Sequence, residues 1–512
     1  MTDGMFALFE RQAREHPDAR FLILPDLSVI TYADALARSA RIANLLESLG
    51  VGRGDRVAVQ AEKSPEVLLT YLAAMRTGAV YLPLNTAYTP AELGYFLGDA
   101  EPRLFVHPPE DETAMAALCA GLPGVTRLTL GADGKGTLIA GAATKPEARQ
   151  APDFVSAPED LAAILYTSGT TGRSKGAMLS HGNLASNAVM LADCWRFTAE
   201  DVLLHALPIF HTHGLFVATN TIVVAGASMI FLPRFDVREL IRLMPRATTL
   251  MGVPTFYSRL LGEADFTREL AAPMRLFISG SAPLSAETHK EFSALTGKAI
   301  LERYGMTETN MNTSNPYDGE RVPGSVGFPL PGVELRITDP DSPAGAVRVL
   351  HQGQVGVIEV RGANVFQGYW RQPEKTAEDL RPDGWFITGD MGVVDERGYV
   401  SIVGRAKDLI ISGGLNVYPA EVEALIDAIA GIAESAVIGV PHADMGEGVV
   451  AVVQASDPAL DEAVVLAALE GQLARYKQPR RVMFVPELPR NAMGKIQKKQ
   501  LRETYANCFG AP

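Results

Sequence analysis

The sequence predicts an α/β protein on three observations. Up to about residue 400, short apolar, β-branched runs recur, among them DRVAVQ, LAAILYTSG, SMIFLP and MRLFISGSA. Stretches with helical spacing lie between them, so periods of two and 3.6 alternate along the chain. Near Gly404 the segment GRAKDLIISGGLNVYP breaks that alternation, and the remainder reads as a smaller, compact α+β unit.

Taken in order, the opening MTDGMFALFERQAREHP carries acids among its bases and lacks a long apolar run with a small-residue cleavage site. It reads as an amphipathic helix rather than an export signal. The Gly/Ala/Pro-rich stretch from Gly131 to Pro152 has neither period and precedes the strong strand LAAILYTSG, so it is expected to be a surface connection without a site. The most apolar stretches, such as Thr221 to Leu232, are interrupted before the ~20 residues that a membrane helix needs. Beyond the boundary follow two strands, ESAVIGVP and EGVVAVVQ, a helix through VVLAALEGQLARY, and a last strand in VMFVPELP.

At 512 residues the chain exceeds what one core organises, so at least two domains are expected and relative movement is available to them. Its 47% hydrophobic and 21% charged residues are those of an ordinary globular protein. A formal charge of -13 argues against nucleic acid or an anionic membrane as partner, so Lys and Arg are read locally. Cys119, Cys194 and Cys508 form no CxxC, which suggests neither a disulfide framework nor a thiolate metal site and fits the cytoplasm. No obligatory protein partner is evident.

The sharpest motif is Tyr166 to Gly176, YTSGTTGRSKG, which follows a strand and is dense in Gly, hydroxyls and a Lys. Gly permits close backbone approach, hydroxyls and main-chain N–H groups donate to phosphate oxygens, and Lys175 supplies charge. A Walker A loop requires GKS or GKT where this chain has Ser174, Lys175 and Gly176, so that reading fails. A flexible polar turn is the plain alternative, but linkers seldom follow a buried strand with this mixture.

With this loop, the chain resembles the adenylate-forming superfamily of acyl-CoA synthetases, luciferases and peptide-synthetase adenylation domains. ERYGMTE (302–308), TGD (388–390), GRAKDLIISGGLNVYP (404–419) and RNAMGK (490–495) follow in that superfamily's order. The resemblance implies a large N-terminal domain of packed β-sheets flanked by helices, residues 1–406, and a small mobile C-terminal domain, residues 407–512. It implies ATP and coenzyme A as co-substrates and Mg²⁺ as the metal. ATP would be held by Thr167, Ser168, Gly169, Thr170, Thr171, Gly172 and Lys175, by the wall Gly280, Ser281, Ala282 and Pro283, and by Glu302, Arg303, Tyr304, Gly305, Met306 and Thr307. Asp390 and Arg405 match ribose contacts.

Each assignment has a chemical rationale. A carboxylate is a poor acyl donor, so a phosphate-stabilised leaving group must be attached first, and several negative charges must be managed. Glu308 offers a hard oxygen for Mg²⁺ and Thr307 a hydroxyl for phosphate. An Asp after Thr-Gly is more often a turn residue, and core packing would also explain Tyr304. Lys495 is expected to be the catalytic lysine, reaching the carboxylate and α-phosphate as charge develops. The resemblance makes Lys407 the hinge of a rotation that withdraws Lys495 and brings Gly413 and Gly414 to a coenzyme A tunnel. Lys477, with Arg480 and Arg481, is a candidate for the coenzyme A phosphates, or an ordinary solvated basic face.

For the acid, LPIFHTHGLF sets His211 and His213 around Thr212, and ERYGMTE sets Arg303 beside the nucleotide motif. A guanidinium near an acyl site needs a counter-charge, which a second substrate carboxylate supplies in bidentate form. Pairing of Arg303 with Glu302 or another protein acid, with His211 a satisfied core residue, is the competing reading. HTHGLF, ERYGMTETNMNTSNPYDG and NVYPAEVE are similar to the malonyl-CoA synthetases. That resemblance implies that Arg303 and His211 hold the distal carboxylate of malonate, and that Thr212 and Met311 limit room at the α-carbon, with methylmalonate left open. A synthetase of other short-chain or aryl acids and an enzyme loading a carrier protein are the alternatives.

Overall fold

Alternating strand and helix periods produce parallel sheets because each crossover helix carries the chain back to the end of the sheet where the preceding strand began. The computed structural model describes residues 4–122, 124–167, 174–342, 346–413, 415–442, 445–470, 472–491 and 494–510. Among the described residues, one sheet of nine strands runs, in spatial order, Phe328–Pro329, Asn310–Ser314, Leu301–Met306, Leu276–Ser279, Thr249–Gly252, Val202–His205, Ser228–Phe231, Arg20–Ile23 and Val29–Thr31. Its interior pairs are parallel and its outer pairs antiparallel. A second sheet orders Thr126–Thr129, Leu104–His107, Arg56–Val59, Val80–Pro83, Leu161–Thr167 and Lys175–Ser180. Central strands such as Leu276–Ser279 are buried along their whole length, which is why they read as continuous apolar runs rather than alternating ones.

Helix boundaries follow local chemistry. Thr31 with Asp34, Thr89 with Glu92 and Ser180 with Asn183 close capping boxes at three helix starts. Ser64 caps helix Pro65–Thr77, and Gly78 ends it in the left-handed conformation. The amphipathic start of the chain is helix Met5–Glu15, burying Met5, Phe6, Leu8, Phe9 and Ala13.

An antiparallel sheet of Val333–Thr338, Gly356–Gly362, Phe386–Val394 and Val400–Arg405 leads to the C-terminal part. There Ile432–His442 and Gly446–Ala455 pair antiparallel, and Arg481–Phe484 adds in parallel. Alternation along these strands feeds two small cores. Val437, Val449, Ala451 and Val453 meet Val422, Ile426, Val465 and Leu469 of two helices, while Ala436, Ile438, Val450 and Val452 meet Leu488 and Leu501.

Two expectations differ in detail. The helix in VVLAALEGQLARY covers only Glu462–Leu469, because Glu470 is already extended ahead of Gly471, a poor helix former. The stretch read as a plain connection contains helix Thr137–Ala143, which buries Leu138 and Ala142. Seven residues are too few for a visible period. Gly141 there packs on Leu45, where an added Cβ would stand 3.1 Å from a leucine methyl.

Asp153, just beyond that connection, anchors its end to the core. It accepts from Arg76 Nε and Nη2 at 2.9 and 3.0 Å, and Arg76 is buried while also donating to the Leu36 carbonyl and Ser39 Oγ. Removing one partner of a buried pair leaves an uncompensated charge, so Asp153→Ala is expected to cost about 3 kcal/mol. Urea unfolding followed by tryptophan fluorescence, with a midpoint well below that of the parent protein, checks this.

Candidate functional site

A cleft of about 470 Å³ lies at the carboxyl ends of the parallel strands, where open α/β sheets place their ligands. Strand Leu161–Thr167 brings Tyr166 and Thr167 to it, and the return strand brings Lys175. Ser281 stands two residues past strand Leu276–Ser279, and strand Leu301–Met306 contributes Arg303, Gly305 and Met306, followed by Thr307 and Glu308. Thr388, Arg405 and Lys407 close one side, and Lys495 reaches in from the C-terminal part.

One half of the cleft is lined and backed by paired acids and bases. Strand register places Asp390 opposite Arg405, so Arg405 Nε meets Asp390 Oδ1 at 2.8 Å. The buried Tyr304 donates its hydroxyl to Asp390 Oδ2. Asp390 in turn raises the Arg405 guanidinium further above its usual range. Glu308 is buried and accepts from the Tyr369 hydroxyl at 3.0 Å. Burial pushes its carboxyl up, against the Tyr369 hydrogen bond and the cations Arg405 and Lys175. Lys175 Nζ lies 3.6 Å from Asp379 and 4.4 Å above the Tyr369 ring.

Lys495 is exposed as a residue, yet its ammonium is crowded by cleft atoms and by Arg405, which lower its pKa against Asp390 and Glu308. Burial likewise brings Lys407 down to about 8.

The other half is basic throughout. Arg303 is buried, with Nε and Nη2 lacking hydrogen-bond partners. Burial lowers its pKa to about 9, so it stays charged at neutral pH. The competing pairing is not made. Neighbours on a strand point to opposite faces, and Glu302 turns to the Gly324 amide at 3.4 Å, its carboxyl pushed up to about 8 by burial. Burial, Lys495 and Arg303 bring His211 down to about 3, which leaves a neutral imidazole. Thr212 and His213 are buried, with Thr212 Oγ1 and His213 Nε2 unpartnered. His213 Nδ1 lies 3.1 Å from Ser281 Oγ, and Ser281 adopts φ +73°, a conformation uncommon for a residue with a Cβ.

His213 also opens a π-helix, His213–Thr219, an irregularity common near functional sites. Met311 closes this end, its backbone held by the Asn187 side chain.

Not every expected residue gathers here. Ser281 lines the cleft, whereas Gly280 backs Arg303: a Cβ at Gly280 would stand 2.5 Å from the guanidinium carbon. Ala282, Pro283, Glu302, Tyr304 and Asp390 lie outside the lining. Gly413, at φ +60°, lies away from the cleft, its amide bonded to the Met445 carbonyl. Lys477 pairs with Glu421, and Arg481 with Glu462. Ser168, Gly169, Thr170, Thr171, Gly172 and Gly414 lie outside the described residues. Tyr369 and Asp379, the neighbours of Glu308 and Lys175, were not anticipated, because nothing in their sequence surroundings distinguishes them from core and surface residues.

The AMP-binding enzyme family profile matches residues 9–370, and that of the AMP-binding enzyme C-terminal domain matches residues 421–495. The chain belongs to the AMP-binding enzyme family. ATP-bound MatB from Rhodopseudomonas palustris is 58% identical over 99% of this chain and 100% of its own, with a TM-score of 0.95. The apo form of that protein gives 0.85. A feruloyl-CoA synthase of Amycolatopsis sp. is 36% identical over 97% of this chain and 98% of its own. The mitochondrial malonate–CoA ligase ACSF3 of Mus musculus is 35% identical over 98% of this chain and 91% of its own. The expected large N-terminal sheet domain and smaller C-terminal domain are therefore those of the AMP-binding enzymes.

Holding Arg303 buried without a carboxylate opposes folding of the ligand-free chain. Arg303→Met keeps the volume and removes the charge, so it is expected to stabilise the ligand-free protein by about 1 kcal/mol or more. A thermal melt without ligands checks the sign, and a lower melting temperature contradicts it.

Proposed function

We propose that this AMP-binding enzyme ligates malonate to coenzyme A in two steps. A malonate carboxylate oxygen attacks the α-phosphorus of ATP, giving malonyl-adenylate and pyrophosphate. The coenzyme A thiol then attacks the acyl carbon, its proton is lost, and AMP leaves with malonyl-CoA as product. The observation that carries the choice of acid is Arg303, a buried cation with two unpartnered N–H-bearing atoms at the end of the cleft. A dicarboxylate supplies the charge and the two acceptors that the guanidinium lacks.

The remaining roles follow from charge. Asp390, held by Arg405 and Tyr304, presents a carboxylate to the ribose hydroxyls. Lys175 and Thr307 meet phosphate, and Lys495 bridges the reacting carboxylate and the α-phosphate during adenylation. Glu308 fits Mg²⁺: a hard, buried oxygen donor whose anionic form lacks full compensation within the protein. Once bound, the ion would offset the charge of the phosphates. His211, neutral, would hydrogen-bond the distal carboxylate, and Thr212 and Met311 would restrict substituents at the α-carbon.

For the second half-reaction, residues 407–512 would turn about Lys407, withdrawing Lys495 and carrying Gly413 and Gly414 toward the thiol arm. The pairing of Lys477 with Glu421 leaves it a weaker candidate for a coenzyme A phosphate. A cytoplasmic location suits these substrates, and no described helix is long and apolar enough to cross a membrane.

The feruloyl-CoA synthase relative favours a second reading, an aryl acid, which a charged pocket end disfavours. Product mass detection over acetate, propionate, malonate, methylmalonate and ferulate separates the two, with malonate expected to give the highest kcat/KM. Lys495→Ala is expected to abolish malonate-dependent ATP–pyrophosphate exchange yet spare thioester formation from supplied malonyl-adenylate; equal loss of both steps contradicts its role.

Glu308 gives a pH prediction. Its ionised form is the one that would bind a cation, and Tyr369 stabilises that form. Tyr369→Phe therefore raises the Glu308 pKa, so the acid limb of the exchange rate is expected to move to higher pH, as a pH–rate profile would register.

A further inference from the structure

Outside the cleft stands a second buried cation with no assigned role. Lys63 lies between strand Arg56–Val59 and helix Pro65–Thr77 and is 7% exposed. Its Nζ donates to the carbonyls of His205 and Leu207, both at 2.9 Å, and lies 3.0 Å from His205 Nδ1 and 4.3 Å above the Phe231 ring. Among the described residues it forms no ion pair with a carboxylate.

Three ammonium protons for three acceptors leave no alternative partner on Nζ and make Nδ1 of His205 an acceptor. Nε2 then carries the proton and donates to the Gly214 carbonyl at 2.9 Å, a carbonyl that also accepts from Thr219 Oγ1 at 2.9 Å. Moving the proton from Lys63 to His205 Nδ1 preserves every one of these contacts. Burial holds both groups well below their usual ranges, and the neighbouring lysine lowers His205 further.

The consequence is spatial. Lys63 fixes the carbonyls of residues 205 and 207, and His205 fixes that of residue 214 at the head of the π-helix. The chain between those anchors carries Phe210, His211, Thr212 and His213 into the cleft. Gly214 is required at the second anchor, since a Cβ there would stand 2.1 Å from the Pro208 carbonyl oxygen. A buried ammonium is costly and its strong donors demand acceptors, so the segment has one placement that satisfies them.

We infer that Lys63 and His205 are a positioning pair for the acyl pocket, holding the 208–213 segment against Arg303 so that the site selects a second carboxylate. The inference rests on the malonate reading for the identity of the acid, but not for the clamp itself. Neither residue touches substrate.

Lys63→Met removes the donors while keeping the bulk. It is expected to raise KM for malonate about tenfold, to lower the malonate-to-acetate ratio of kcat/KM by a similar factor, and to leave KM for ATP within about twofold. His205→Gln keeps an acceptor and a donor and is expected to retain most of the selectivity, whereas His205→Leu loses it. This second pair decides the matter if Lys63→Met fails to fold. Equal rises in KM for malonate and ATP, an unchanged acid ratio, or equal behaviour of the Gln and Leu variants would overturn the inference. The parent protein is assayed on the same acids: should it prefer another acid, the malonate reading fails, and the KM split for the preferred acid decides on Lys63.

Discussion

Burying a guanidinium without a carboxylate of its own is the constraint on which the site turns. Water would solvate Arg303 far better than the protein does, and only the packing of the sheet around strand Leu301–Met306 keeps it where it is. The guanidinium needs a flat neighbour, which is why Gly280 lies against it. It also needs a neighbour of its own that does not neutralise it. Strand alternation provides this by turning Glu302 to the opposite face, where the acid's own burial raises its pKa.

From that constraint the cleft acquires two different halves. Toward Asp390 and Glu308, acids and bases are partnered across strands, and the network is nearly complete before a nucleotide arrives. Toward Arg303 and His211, the groups able to carry charge at neutral pH are bases, and burial holds the imidazoles neutral. A preorganised polar cradle thus meets a pocket in electrostatic deficit. Catalysis of acid activation benefits from both, because the cradle offers fixed dipoles to the phosphates while the deficit is filled only by an anion of suitable length.

Much of this was legible in the sequence, for identifiable reasons. Arg303, Thr307 and Glu308 stand in one contiguous motif, and Asp390 and Arg405 stand in two short ones. The nine-stranded sheet was foreshadowed by apolar runs whose burial on both faces leaves them unbroken. Other features depend on neighbours far apart in the chain. Lys63, within AEKSPEV, looks like a solvated charge ahead of a capped helix; its acceptors lie more than a hundred residues away. Tyr369 meets Glu308 only because the chain returns beside strand Lys175–Ser180. Lys477 showed the opposite failure, since a basic cluster was visible but Glu421, its partner, was not. Helix Thr137–Ala143 is too short to announce itself by period.

The π-helix His213–Thr219 has a consequence for how such a pocket diversifies. A π-turn holds one more residue than an α-turn, and the surplus is absorbed locally rather than along the whole helix. Loss of a single codon within the stretch would restore regular α-helical winding while helix Asn220–Ala225 behind it stayed seated. The residues within the stretch would then be re-aimed while those on either side kept their register, so that different side chains faced the acid. The irregularity therefore makes the pocket adjustable by length as well as by substitution, an evolutionary route to new acids that leaves the nucleotide cradle untouched.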